Sequence, residues 1–218
     1  MKKIDIALIA VIILSPACMI KTVFYDVNPA YESHCFGNES VAICPCGGKW
    51  KIEGGDTVFE RVPEFYPYAD AIAKQIRKKR KCLSVITPDI VAQKIPEIES
   101  VLYKHKNFSR ESGPDDSTFF AGLHYALKAD YLVFIESIFF NDSHSAVSDT
   151  VASIHTTILV FQVWDLKNRK FMYRGETKGA GEESKSGRGS RPGSDSRSGN
   201  WRVQNTAYEL VKSLPACR

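Results

Sequence analysis

The sequence predicts a single-domain α/β protein whose sheet mixes parallel and antiparallel strands and is flanked by helices, in the order β-α-β-α-α-β-β-β-α. Three observations predict it. An amphipathic helical pattern at 68–81 runs directly into a short β-branched segment, which reads as a helix feeding a strand. The most sustained strand signal, Tyr131 to Phe140, is followed by two further strand patterns across short polar turns, an antiparallel meander. The chain has 218 residues, enough for one sizeable core, and it carries no internal repeat.

The elements follow in order. Ile20 to Val27 reads as a strand through Thr22, Val23, Phe24 and Tyr25, and Asn28-Pro29 ends it. Residues 31–56 are glycine-rich and read as a cysteine-bearing insertion or hairpin, with Lys49 to Ile52 as a possible strand. In the helix from Tyr68 to Lys81, Ala69, Ile72, Ala73 and Ile76 make one apolar face, and the basic end complements the helix dipole. Cys82 to Thr87 is a short buried strand. Pro88-Asp89 opens a helix to Leu102 that Pro96 kinks or splits. Asp115 or Asp116 caps a third helix carrying Phe119, Phe120, Leu123 and Leu127. After the Tyr131–Phe140 strand, 141–149 reads as a turn and Val151 to Trp164 as a long strand apolar on both faces, as a central strand is. Asp165 to Arg169 turns the chain into a return strand, Lys170 to Thr177. Residues 182–200 are rich in Ser, Gly and Arg and read as a flexible loop. Trp201 to Leu214 closes the domain as an amphipathic helix.

Ahead of these elements lies a targeting pattern. Lys2 and Lys3 precede an apolar run from Ile6 to Leu14, and Ser15-Pro16-Ala17 leads into Cys18. That is a charged start, a short apolar stretch and a small-residue cleavage site, so 1–17 reads as a signal peptide. Nine apolar residues fall well short of the roughly 20 that a spanning helix needs. The cysteine after a small residue resembles the lipobox of bacterial lipoproteins, which implies a diacylated Cys18 at the start of a mature domain, 18–218. Met19 rather than Asp follows it, which by analogy with one sorting rule points to the outer membrane, facing the periplasm.

The formal charge is +4, and removing the signal takes away two lysines and Asp5, leaving +3. Such mild basicity suits a surface near anionic lipid and is too small to argue for nucleic acid. Within it, Arg77-Lys78-Lys79-Arg80-Lys81 is an unbroken basic run, either a solvated helix end or a contact for anionic headgroups. Export permits disulfides among Cys35, Cys44, Cys46, Cys82 and Cys217. The pairing stays open: Cys35 with Cys44 or Cys46 closes a short loop, and Cys82 with Cys217 ties a strand to the last helix. His34 beside Cys35, with Cys44-Pro45-Cys46 nearby, also admits a metal- or ligand-binding reading, although the spacing suits four-ligand zinc poorly.

Three short motifs carry a further resemblance. They are Val85-Ile86-Thr87-Pro88, Ala129-Asp130-Tyr131-Leu132-Val133, and Val163-Trp164-Asp165-Leu166-Lys167-Asn168-Arg169. Together with a strand just after the anchor, they resemble exported lipoproteins related to the curli-secretion lipoprotein and to the amino-terminal domain of the Tol-system propeller protein. The likeness spans Ile20 to Leu214. It implies Asp130 and Asp165 as turn residues and a non-enzymatic envelope component with no cofactor. Its partners would be the membrane, through the lipid, and an envelope protein or second copy of the chain. The chain departs from that pattern in the Cys35–Cys46 segment, the Ser/Gly/Arg loop and Glu136. Five histidines, His34, His105, His124, His144 and His155, offer chemistry, but no Gly-x-Ser-x-Gly, His-Glu-x-x-His or phosphate-binding glycine loop accompanies them. His124 and His155 read as core histidines with local partners.

Overall fold

The computed structural model describes residues 22–45, 48–53, 56–61, 63–104, 114–147, 150–185 and 195–218. Residues 1–17, Cys18, Cys46 and His105 lie outside the described residues, as do the side chains of His144 and His155. The strands are β1 (Thr22–Val27), β2 (Glu39–Pro45), β3 (Gly48–Glu53), β4 (Asp56–Arg61), β5 (Leu83–Ile86), β6 (Tyr131–Val147), β7 (Thr150–Asp165) and β8 (Lys170–Lys185). The helices are α1 (Tyr66–Lys79), α2 (Pro88–Lys94), α3 (Ile98–Lys104), α4 (Pro114–Leu127) and α5 (Asp195–Ser213). Six strands form one mixed sheet in the order β1-β8-β7-β6-β2-β5, and β3 with β4 makes a separate hairpin. This is the mixed α/β class that the sequence predicts.

The largest departure from expectation is β2. Its residues fall inside the expected cysteine-bearing insertion, yet β2 lies between β5 and β6 and runs parallel to both. Val41 and Ile43 enter one core and Ala42 and Cys44 the other. A strand buried on both faces shows no alternation, and the flanking glycines and Pro45 disguise it as a loop. The parallel pairs are therefore β2–β5 and β2–β6. Strand β1 pairs antiparallel with β8 at the opposite edge.

Two helical layers cover the sheet. Ala69, Ile72, Ala73 and Ile76 of α1, with Ala207, Leu210, Val211 and Leu214 of the α5 region, pack on Val133, Ile135, Leu159, Phe161 and Val163. On the other face, Val91, Ile98, Leu102, Phe120, Leu123 and Leu127 pack on Leu132, Phe134 and Trp164. Trp164 is fully buried, with the rings of Phe120 and Phe134 edge-on at 5.2 and 5.4 Å. Pro96 separates α2 from α3, because proline cannot donate the amide hydrogen bond that would carry the helix through. Lys128 ends α4 at φ 57°, and Arg169 takes φ 59° in the β7–β8 turn.

The meander is longer than the sequence suggests. Strand β6 continues past Phe140 to Val147, and β8 continues past Thr177 to Lys185, both laddered against β7. Helix α5 begins at Asp195, ahead of the expected Trp201. Of the expected flexible loop 182–200, residues 182–185 are strand and 195–200 helix; 186–194 lie outside the described residues. Ladder hydrogen bonds to β7 draw polar residues of low intrinsic strand preference into the sheet. The antiparallel pairing of β1 with β8 also sets a direction. Thr22 pairs with Thr177, so β8 extends beyond the start of β1 towards the side from which the preceding chain arrives.

Candidate functional site

The sequence-predicted residues divide among separate places. Cys82 and Cys217 form a disulfide, joining the start of β5 to the chain after α5. The closure is wider than the one bond: the Phe36 amide donates to the Ala216 carbonyl at 2.8 Å, and the Arg218 amide donates to the Phe36 carbonyl at 2.9 Å. Arg80 completes it. Its guanidinium donates to the carbonyls of Leu214, Pro215 and Lys212 at 2.7, 2.8 and 3.2 Å, satisfying groups left open at the end of α5. Arg80 is thus a clasp residue rather than a member of a free basic strip. Burial lowers its pKa. Arg77, Lys78, Lys79 and Lys81 remain exposed around it, with the Lys79 ammonium 5.2 Å from the centre of the Tyr208 ring.

His34 and Cys35 sit apart from Cys44. The His34 ring lies edge-on to Tyr31, Phe36 and Tyr131, with Nε2 3.1 Å from the Tyr131 hydroxyl. That hydroxyl donates to Glu39 Oε2 at 3.0 Å, so His34 supplies the Nε2 proton to the Tyr131 oxygen. Tyr31 donates to the fully buried Asp165 at 2.9 Å, and Tyr173 donates to the Tyr31 carbonyl at 2.9 Å. Asp165 also accepts from the Asn168 amide at 2.7 Å and the Asn168 side chain at 2.8 Å, which shapes the β7–β8 turn. Burial first, then the neighbouring carboxylates, raises the Tyr31 and Tyr131 pKa values. Burial and the nearby Cys35 push Tyr173 up to about 12. These phenols stay protonated at neutral pH, Tyr31 and Tyr131 as donors to carboxylates and Tyr173 as donor to a backbone carbonyl, a structural arrangement. A cleft of about 310 Å³ opens beside them, lined by Phe24, Val27, Tyr31, His34, Tyr173 and Pro215.

Neither Cys35 nor Cys44 is in a disulfide. Cys44 is buried in the second core and its thiol donates to the Pro45 carbonyl at 3.3 Å, so the short Cys35–Cys44 loop does not form. Among the described residues, no group of three or more His, Cys, Asp or Glu side chains is placed to hold a metal ion. His124 binds the Ala129 carbonyl at 2.7 Å through Nδ1, a helix-end contact. Asp130 accepts from the Ser40 amide at 2.8 Å and hydroxyl at 2.9 Å, pinning β2 against the start of β6.

Two features of the meander go beyond the sequence reading. Glu136, at a bulge in β6, takes both arms of Arg174 and accepts from Gln162 at 3.1 Å, while Gln162 accepts the Trp164 indole proton at 2.8 Å. This chain links the core to the sheet face that α2, α3 and α4 cover at their end. Beyond it, towards the tip, that face carries Val23 (43 % exposed) and Phe139 (56 %). Ladder pairing sets Val160 beside Ser137 and Glu176, and Ile158 beside Phe139 and Lys178. On the opposite face, a cleft of about 610 Å³ lies between α1, α5 and Phe140, with Tyr66, Tyr68, Lys74 and Arg202 on its walls. Among the described residues, no helix is long and apolar enough to cross a membrane.

No known family pattern matches the sequence, and no curated protein matches it. Solved structures do resemble it. The PelC dodecamer of Paraburkholderia phytofirmans is 8 % identical, covering 91 % of this chain and 99 % of that one, at a TM-score of 0.37. Lipoprotein GNA1162 of Neisseria meningitidis is 12 % identical over 71 % of this chain and 88 % of its own, at 0.35. The hypothetical protein CT253 of Chlamydia trachomatis is 12 % identical over 82 % and 90 %, at 0.33.

Proposed function

We propose that this chain is an exported bacterial lipoprotein: a single domain, 18–218, held to the outer membrane through acylated Cys18. It serves the envelope as a non-enzymatic assembly, secretion or adaptor subunit, with an envelope protein or a second copy as partner. The observation that carries this reading is the run Lys2-Lys3, Ile6–Leu14, Ser15-Pro16-Ala17 and Cys18, with strand β1 beginning only four residues later. Two further features support it. The Cys82–Cys217 bridge suits an oxidising compartment. The polar clusters around Asp165 and Glu136 are hydrogen-bond sets that brace strands and turns.

The test is metabolic labelling with a clickable palmitate analogue in cells expressing the parent or Cys18→Ala, followed by membrane fractionation. Label and outer-membrane recovery that both vanish with Cys18 are the expected result. Unlabelled, soluble parent protein would overturn the reading.

A further inference from the structure

The position of the anchor relative to the meander constrains how the domain meets the bilayer. This inference rests on the proposed acylation of Cys18. Thr22 lies four residues beyond Cys18, a reach of at most about 14 Å. Strand β8 runs eight residues past the Thr22–Thr177 pair to Lys185, about 26 Å, towards the side from which that tether comes. Even a tether extended alongside β8 leaves Cys18 level with Gly181, so the tip overshoots the anchor by about 13 Å. A domain standing upright would drive that tip through the headgroups, which span only about 6 Å per leaflet, into hydrocarbon. The tip sequence forbids it: Asn141, Asp142, Ser143 and His144 on β6 and Glu182, Glu183 and Lys185 on β8 are costly there. The sheet must lean over.

We propose that the domain lies against the bilayer surface on the uncovered end of its outer sheet face, formed by Val23, Val160, Ile158, Phe139 and Lys178. The face suits the headgroup region. Val23 and Phe139 are exposed apolar residues and Lys178 an exposed cation, paired with Glu176 at 3.4 Å. It begins on β1, the strand joined to the tether, and α2, α3 and α4 leave it open. The basic residues Arg77, Lys78, Lys79 and Lys81 then face away from the bilayer. They belong to the opposite layer, near the end of α5 that Arg80 clasps.

The test places a tryptophan on either side of the sheet in full-length lipidated protein, reconstituted into phosphatidylethanolamine–phosphatidylglycerol vesicles containing brominated lipid. Phe139→Trp reports the outer face. Tyr208→Trp, beside Lys79, reports the helical layer and the basic run. The parent supplies the background from the native tryptophans. Flotation of parent against Cys18→Ala reads the anchor separately, so a protein that fails to float with lipid defeats the lipoprotein reading itself. With the anchor intact, strong quenching of Phe139→Trp and none of Tyr208→Trp is the expected result. A flexible Gly-Ser spacer between Lys21 and Thr22 should relieve that quenching. Quenching of Tyr208→Trp alone, or of neither, in protein that still floats would overturn the proposed orientation.

Discussion

Removing the Cys82–Cys217 bridge should cost this domain stability chiefly through its unfolded state. The bridge closes a segment of 135 residues, for which chain entropy gives about 5 kcal/mol at 25 °C. The folded state loses little in comparison. Phe36 still hydrogen-bonds Ala216 and Arg218, and Arg80 still holds Leu214 and Pro215. The perturbation is the Cys82→Ala/Cys217→Ala pair, followed through urea unfolding by the emission of buried Trp164. With a urea slope of about 3 kcal/mol per molar, the midpoint should fall by about 1.7 M. The slope should also steepen, because an unlinked unfolded chain exposes more surface. Parent protein treated with dithiothreitol provides the control and should match the double variant. An unchanged midpoint would refute the entropic argument. A reduced parent as stable as the oxidised one, beside a weakened double variant, would assign the loss to alanine packing instead.

Other consequences follow from single side chains. Arg80→Ala should cost about 1.5–3 kcal/mol, the range for hydrogen bonds from a charged donor, and Arg80→Lys should recover only part of it in thermal melts. Gly175→Ala puts a methyl 2.7 Å from the Val23 carbonyl and should destabilise by about 1–3 kcal/mol, with faster amide exchange along β1. Gly122→Ala meets nothing within 4 Å on α4 and should stabilise by about 0.5–1 kcal/mol, read in the same melts. The raised phenols set an alkaline limit. Above about pH 10 the unfolded chain releases phenolic protons that Tyr31, Tyr131 and Tyr173 still hold when folded. Stability is therefore full below that pH and declines as pH climbs towards and past 12, the Tyr173 value. Urea midpoints measured across the alkaline range should fall accordingly, and Tyr31→Phe should flatten the fall.

Much of the fold is legible in the sequence where a helical stripe or a long β-branched and aromatic run marks it. Helix α1 shows its apolar stripe through Ala69, Ile72 and Ile76, and Pro96 marks a break that the backbone respects. Strands β6 and β7 stand out through β-branched and aromatic residues. Strand β2, like β6 and β7 buried on both faces and so without alternation, is hidden because it is short, lacks aromatic residues and is bounded by glycines and Pro45. The far ends of β6 and β8 are hidden for a different reason, since polar residues become strand only when β7 supplies the ladder. The site is less legible still. Spacing alone leaves Cys82 and Cys217 among several possible pairs, because sequence separation carries no distance. Arg80 is indistinguishable from Lys79 and Lys81 until the carbonyls of Leu214 and Pro215 arrive from the other end of the chain. Glu136 shows in the sequence only as a departure from the resembled pattern, because its partner Arg174 lies on a strand not adjacent to its own.

The seating of β1 at the sheet edge beside β8 has a kinetic meaning. The first strand to emerge from any amino-terminal-first process finds its partner only when Tyr173 to Thr177 arrive. Strand β2 meets β5 earlier but waits for Tyr131 to Ile135 to complete its second ladder, and Cys82 waits for Cys217. Such late partners make for slow closure, because distant segments must meet before any ladder rewards them. On the proposed export route that delay is useful: a chain that cannot complete its sheet until its last segments are present remains threadable while it crosses. Folding is then timed by the chain's own topology.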